Sequence, residues 1–284
     1  MFILPFIITF AVFFVAPLIQ TTVMSFQNVV PGKTTFVGID NYTSLFADEI
    51  FWKSVVNSLL YMALTLLLLI PIPMLLATFI NSKKLLGTGF FKSVFFLPAL
   101  TSVVVAGTIF RLMYGELDGS LMNQIVMLFG GEPIKWLRGT QDTGYFALLM
   151  LACWRWMGVN ILYYLAGLNN ISPDLYEAAE IDGASGWQKF TKITIPMLKS
   201  TTVYVLTISI YGGLAMFAES YMLWNGNISP QNMGLTIVGY LYRQGIEKNR
   251  MGFASAVGLV LLVIVMVINV VQLKASGTFK RKGR

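Results

Sequence analysis

Long runs without a charged side chain organise this sequence. Residues 1–32 contain no Asp, Glu, Lys or Arg, and neither do 54–82, 93–110 or 251–273. Each run approaches or exceeds the ~20 residues that a helix rising 1.5 Å per residue needs to cross hydrocarbon. Two further runs hold one charge each: Arg155 alone interrupts 143–173, and Glu219 alone interrupts 200–242. A lone ionisable residue is tolerated in such a span where it faces a bundle interior or an aqueous cavity. The pattern therefore predicts six transmembrane helices, at about 2–25, 55–80, 93–113, 145–168, 200–223 and 252–273. The first lacks a basic leader, and its apolar stretch exceeds the ~7–15 residues of a signal-peptide core, so it is expected to remain as a membrane helix. Pro71 and Pro73 should kink the second, since each removes a backbone donor. No internal repeat or Gly/Ser-rich linker divides the chain, and residues 1–284 read as a single all-α membrane domain.

Composition changes this picture mainly by exclusion. Of 284 residues, 56% are hydrophobic and 12% charged, against the ~25% charged usual in soluble domains. With a mean hydropathy of +0.71, too little polar surface exists to coat a water-soluble globule of this size. The chain has no histidine, and its one cysteine, Cys153, supports neither a disulfide framework nor a thiolate metal cluster. No catalytic or metal site is expected. A membrane enzyme would need a convergent polar cluster near one leaflet, which the sequence lacks. An ion-coupled secondary transporter, working without an ATPase, is the alternative transport reading. It would usually show paired broken helices and an acidic or histidine relay, where this chain offers only Glu219 and Arg155.

The net charge of +7 lies mostly at the edges of the apolar runs. One set of connections carries Lys83, Lys84, Lys92, Lys189, Lys192, Lys199, Lys274, Lys280, Arg281, Lys282 and Arg284. The other carries Lys33, Lys53, Arg111, Lys135, Arg138, Arg243, Lys248 and Arg250. By the positive-inside tendency, the eleven face the cytoplasm and the eight face outward, so both termini are expected in the cytoplasm. The basic tail then serves topology and attraction to anionic membrane lipid, and no nucleic-acid partner is expected.

The connection at residues 169–199 is too long for a simple hairpin between helices. Ser172 or Asp174 can cap a helix starting near Pro173, a residue tolerated in a first turn because its missing N–H is an orphan there. Gly183 permits a sharp reversal, and a second short amphipathic helix places Trp187 and Phe190 on one face. Pro196 closes the segment. The result is a pair of short helices offering apolar anchors to something peripheral, in the manner of a helix laid in a groove.

These residues also carry a family resemblance. Glu177-Ala178-Ala179, Gly183 six positions after the glutamate, then Ile193, Ile195 and Pro196, resemble the EAA loop of permease subunits of binding-protein-dependent ABC importers. Ile195 stands where that pattern usually has Leu, a volume-conserving swap. The surrounding sequence, from about residue 2 to 275, is similar to the carbohydrate branch that includes maltodextrin, multiple-sugar and arabino-oligosaccharide permeases. The resemblance implies a six-helix type I importer fold that pairs as a heterodimer with a homologous second permease. It also implies two cytoplasmic ATPase subunits, an extracytoplasmic solute-binding protein and a sugar substrate. The chain has no Gly-x-x-x-x-Gly-Lys-Ser/Thr loop, so ATP and Mg belong to the ATPase subunits and no cofactor to this chain. The resemblance makes Glu177, Ala178, Ala179, Asp182, Gly183, Trp187, Phe190 and Pro196 the coupling set. Glu177 would be a charged or hydrogen-bonded anchor. The alanines would allow close packing, or simply favour helix.

Candidates for the solute passage are less tightly specified. Trp154, Arg155, Trp156 and Asn160 cluster in the fourth span, while Ser209, Gly212, Gly213 and Met216 form a stripe at i, i+3, i+4 and i+7 in the fifth, followed by Glu219. Sugars bind by hydrogen bonds and by stacking on aromatic rings, which suits this set. The glycines could equally serve close helix packing, and Arg155 could instead pair with Glu219 as a structural ion pair. On the outside, Trp136, Trp224, Asn225 and the stretch 226–234 are expected to be available to a solute-binding protein.

Overall fold

The computed structural model describes residues 3–82 and 86–277. Of the basic residues that carry the expected orientation, Lys83, Lys84, Lys280, Arg281, Lys282 and Arg284 lie outside the described residues. The chain opens with helix α1 (Leu4–Ser25), then an antiparallel hairpin of β1 (Gln27–Val30) and β2 (Lys33–Phe36), then α2 (Asp40–Ala47). Helix α3 (Glu49–Leu69) continues after a break into α4 (Pro71–Ile80). Next come α5 (Thr88–Leu100), α6 (Val103–Met113), α7 (Leu121–Leu128) and the long α8 (Gln141–Leu168). Two short helices, α9 (Pro173–Ile181) and α10 (Gly186–Met197), precede α11 (Lys199–Leu214), α12 (Ala218–Leu223), α13 (Ile237–Tyr242) and α14 (Met251–Ala275).

Four helical stretches are long and apolar enough to cross a membrane as they stand: Leu4–Ser25, Glu49–Ile80, Gln141–Leu168 and Met251–Ala275. Two more qualify only as bent pairs, α5 with α6 at 94° and α10 with α11 at 67°, giving up to six. The third expected span is therefore not one straight helix. Thr101 and Ser102 are extended at the corner, just after Pro98, whose missing N–H already weakens the last turn of α5. The fifth also stops short, at Leu214, and Phe217 (φ −144°, ψ −54°) leads into the separate α12. Helices two and four begin earlier than their apolar runs because polar caps extend them. Asp48 accepts from the N–H groups of Ile50 and Phe51, and Thr140 from that of Thr143.

The hairpin corrects the all-α expectation. Pro31-Gly32 supplies the turn, with Gly32 at φ +77°, and the strands pair Gln27 with Phe36 through to Val30 with Lys33. Asn41 holds the hairpin in place: its Nδ2 donates to the carbonyls of Ser25 (2.8 Å) and Gln27 (2.9 Å).

Helix α8 forms the axis of the core. Its first half buries Tyr145, Leu148 and Leu151 with Tyr61, Phe110 and Leu223. Its second half buries Ile161, Tyr164 and Leu165 with Met74, Ala77, Ile80 and Val205. Between the two, Gly158 lets the α5 backbone pass: a Cβ there would overlap the carbonyl of Phe95. By contrast, the first half of α1 is exposed, with Phe6, Phe10 and Phe14 stacked along it at 6.2 and 5.5 Å.

Because the obstacle at Gly158 is backbone rather than a movable side chain, Gly158→Ala should destabilise the helix bundle by about 1–3 kcal/mol. Thermal melting of the detergent-purified protein measures this, and an unchanged midpoint would refute the close approach of α5 and α8.

Candidate functional site

The segment between α8 and α11 is built as a rigid unit from local signals. Ser172 Oγ accepts from the N–H of Asp174 at 3.3 Å, with Pro173 in the first turn of α9. Glu177, Ala178, Ala179 and Asp182 lie on or directly after this helix. Gly183 then reverses the chain at φ +73°, a left-handed conformation that side chains with a Cβ adopt at a cost. Ser185 and Gln188 form a reciprocal capping box that starts α10. Two contacts brace the helices against each other. Lys189 Nζ meets Glu180 Oε1 at 2.6 Å, and the hydroxyls of Tyr176 and Thr194 lie 2.9 Å apart.

The expected apolar face divides into two roles. The Trp187 and Phe190 rings are neighbours at 5.7 Å, but Phe190 packs inward on the cluster around Tyr164 and Leu198. Trp187 is 68% exposed and Ile181 88% exposed among the described residues. Pro196 sits in the final turn of α10, just before the 67° bend into α11. Within α10, Phe190–Thr194 forms a π-helical turn that the sequence reading did not anticipate.

Within the spans, the passage candidates do not share one surface. Trp154 is 39% and Trp156 40% exposed; Trp154 packs on Phe110 at 5.5 Å, and the Arg155 guanidinium lies 5.3 Å from the Trp156 ring centre. Arg155 Nε and Nη1 are buried without a hydrogen-bond partner. Glu219 is buried, yet no ion pair joins it to Arg155, so the structural pair considered from sequence does not form.

The small-residue stripe also splits. Gly212 is exposed with open space around it, whereas a Cβ on Gly213 would meet Met62 of α3 at 3.0 Å, so Gly213 serves helix packing. Ser209 is half-buried. Met216 is buried, and its carbonyl accepts from Thr236 Oγ1 at 2.7 Å where α11 breaks. Asn160 is buried too, its amide directed at the backbone of Leu69. Outside the spans, Trp136 and Trp224 are buried rather than available: their indole N–H groups donate to Asn123 Oδ1 (2.8 Å) and the Leu137 carbonyl (2.9 Å). Asn225 remains exposed.

Sequence reasoning missed Thr236 and Asn123, whose side chains hold these connections together. Thr236 stands between Leu235 and Ile237 and Asn123 follows Met122 in α7, and such a position alone does not say which carbonyl or indole the side chain will meet.

The model of the family described as "Binding-protein-dependent transport system inner membrane component" matches residues 41–274. The chain belongs to this family. It is 52% identical to the arabinooligosaccharides transport system permease protein AraP of Bacillus subtilis, over 100% of this chain and 90% of that protein. It is 32% identical to the lactose transport system permease protein LacF of Rhizobium radiobacter, over 97% of this chain and 93% of that one. Among solved structures, it matches a chain of the bacterial alginate ABC transporter in complex with its alginate pentasaccharide-bound periplasmic protein. The TM-score is 0.85 at 26% identity, over 100% of this chain and 95% of that chain. This protein is thus an inner-membrane component of a binding-protein-dependent transport system, in a family whose relatives named above are transport permeases.

The split within the stripe has a direct readout. In a Cys153→Ala background, Gly212→Cys of this permease should react with small hydrophilic thiol reagents while Met216→Cys stays protected. Equal labelling of both would contradict the split between open Gly212 and buried Met216.

Proposed function

We propose that this permease forms half of the translocation pathway of an ATP-driven oligosaccharide importer. The other half is a homologous second permease, two cytoplasmic ATPase subunits supply ATP and Mg chemistry, and an extracytoplasmic binding protein delivers the solute. The identity with AraP along the whole chain favours an arabinooligosaccharide as that solute. Each bent pair counts as one span in this reading, so the chain crosses the membrane six times with both termini in the cytoplasm. Arg155, Trp154, Trp156, Ser209 and Gly212 are the residues proposed to border the solute, since each keeps part of its surface open.

The observation that carries the proposal is the braced pair α9–α10. A segment presenting Ile181 and Trp187 to the outside, yet internally locked by an ion pair, a capping box and a left-handed glycine, suits a coupling element docked on an ATPase. Glu177, Ala178 and Ala179 belong to the same docked helix. Rigidity matters because a docked lever transmits motion only if it does not deform, and the 67° corner at Leu198 passes that motion into α11.

Gly183→Val should test this, since a β-branched residue is strained at φ +73°. Uptake and solute-stimulated ATP hydrolysis are expected to fall by about tenfold or more while membrane insertion is kept, a loss consistent with ~1–3 kcal/mol of backbone strain. Normal uptake by the well-expressed variant would remove the segment from the mechanism.

Topology has its own test. In intact cells, an impermeant thiol reagent should label Arg138→Cys and Ile228→Cys from outside, and Asp182→Cys only after permeabilisation. The opposite pattern would put α9 and α10 where no ATPase can reach them.

A further inference from the structure

The junction between α3 and α4 is bonded by a residue from another span. Pro73 has no N–H, so the carbonyl of Leu69, which residue 73 would bond in an unbroken helix, loses its intrahelical donor. Ile70 marks the break at φ −101°, ψ −61°, and the next bond along, from the N–H of Met74 to the Ile70 carbonyl, is stretched to 3.4 Å. Asn160 of α8, 91 residues away in sequence, donates from Nδ2 to the freed Leu69 oxygen at 2.7 Å. Asn160 is 6% exposed and Leu69 5% exposed, so water has little access to either group. Around this bond the contacts are apolar: Met74, Ala77 and Ile80 of α4 against Ile161, Tyr164 and Leu165 of α8. Apolar contacts allow helices to slide, whereas one directed bond fixes their register.

We infer that Asn160 is a positioning residue. By bonding the carbonyl that Pro73 leaves free, it joins the second half of the second span to α8 as one body. From Asn160, α8 runs on to Leu168, and the chain enters α9 at Pro173, so a displacement of the α9–α10 unit is carried by α8 and α4 together. This role rests on the importer reading above; the bond itself does not. It also accounts for a polar amide in the middle of a span without giving that amide a solute to hold.

The experiment is a double-mutant cycle on the assembled importer. Asn160→Leu removes the donor, and Pro73→Ala supplies a backbone N–H in its place. In Asn160→Leu, solute taken up per ATP hydrolysed should fall about fivefold or more, and the melting midpoint should drop by a few degrees, because a buried acceptor is left unpaired. Pro73→Ala alone should be tolerated, and adding it to Asn160→Leu should bring both readouts back to the Pro73→Ala values. A full coupling ratio in Asn160→Leu, or a loss that Pro73→Ala does not relieve, would overturn the inference. Should Asn160→Leu fail to assemble, recovery of assembly in the double variant becomes the readout, and no recovery counts against the proposal. Melting of the purified protein does not involve transport. A melting cycle that closes as expected, in a complex showing no solute-stimulated hydrolysis even before substitution, would keep the bond and reject the importer reading.

Discussion

Backbone carbonyls freed in apolar surroundings must find a donor, and this requirement governs how the permease can bend. The second expected span is interrupted at Ile70 while still running as one stretch, Glu49–Ile80, and the third and fifth are broken at Thr101–Ser102 and at 215–217. A carbonyl freed in apolar surroundings needs another donor. Asn160 answers the first and Thr236 the last. Gly158 of α8 meets the backbone of Phe95 within α5, before the corner into α6. The first and last interruptions are therefore held by pairs of elements rather than by one helix alone.

Function follows from the same arrangement. A permease that alternates between inward and outward access has to keep its helices helical while changing their relations, which favours broken spans with rigid halves. The α9–α10 unit is rigid for the opposite reason: it carries bonds within itself, Glu180 with Lys189, Ser185 with Gln188, and Tyr176 with Thr194. Its Trp187 and Ile181 are large apolar groups exposed among the described residues, while Phe190 ties the unit back to the core. A self-bonded lever standing on a jointed bundle is the physical content of the coupling proposal.

The sequence by itself determined how much of the chain is apolar, roughly where each apolar run starts and stops, and the local chemistry of the 169–199 segment. Those features depend on hydropathy, caps and turn residues, which act over a few neighbours: Ser172 with Pro173, and Gly183, could be read in order. Family membership was legible for the same reason, since its motif is a local string. What only the tertiary structure decided was direction and partnership. Gly212 and Gly213 are adjacent and chemically identical, yet one faces open space and the other Met62. Arg155 and Glu219 look like a pair in sequence and do not pair. Asn160 looked like a solute ligand and is a backbone donor. A uniformly apolar helix carries little amphipathic signal to orient it, so which face meets which neighbour is settled by shape and by hydrogen bonds across the bundle.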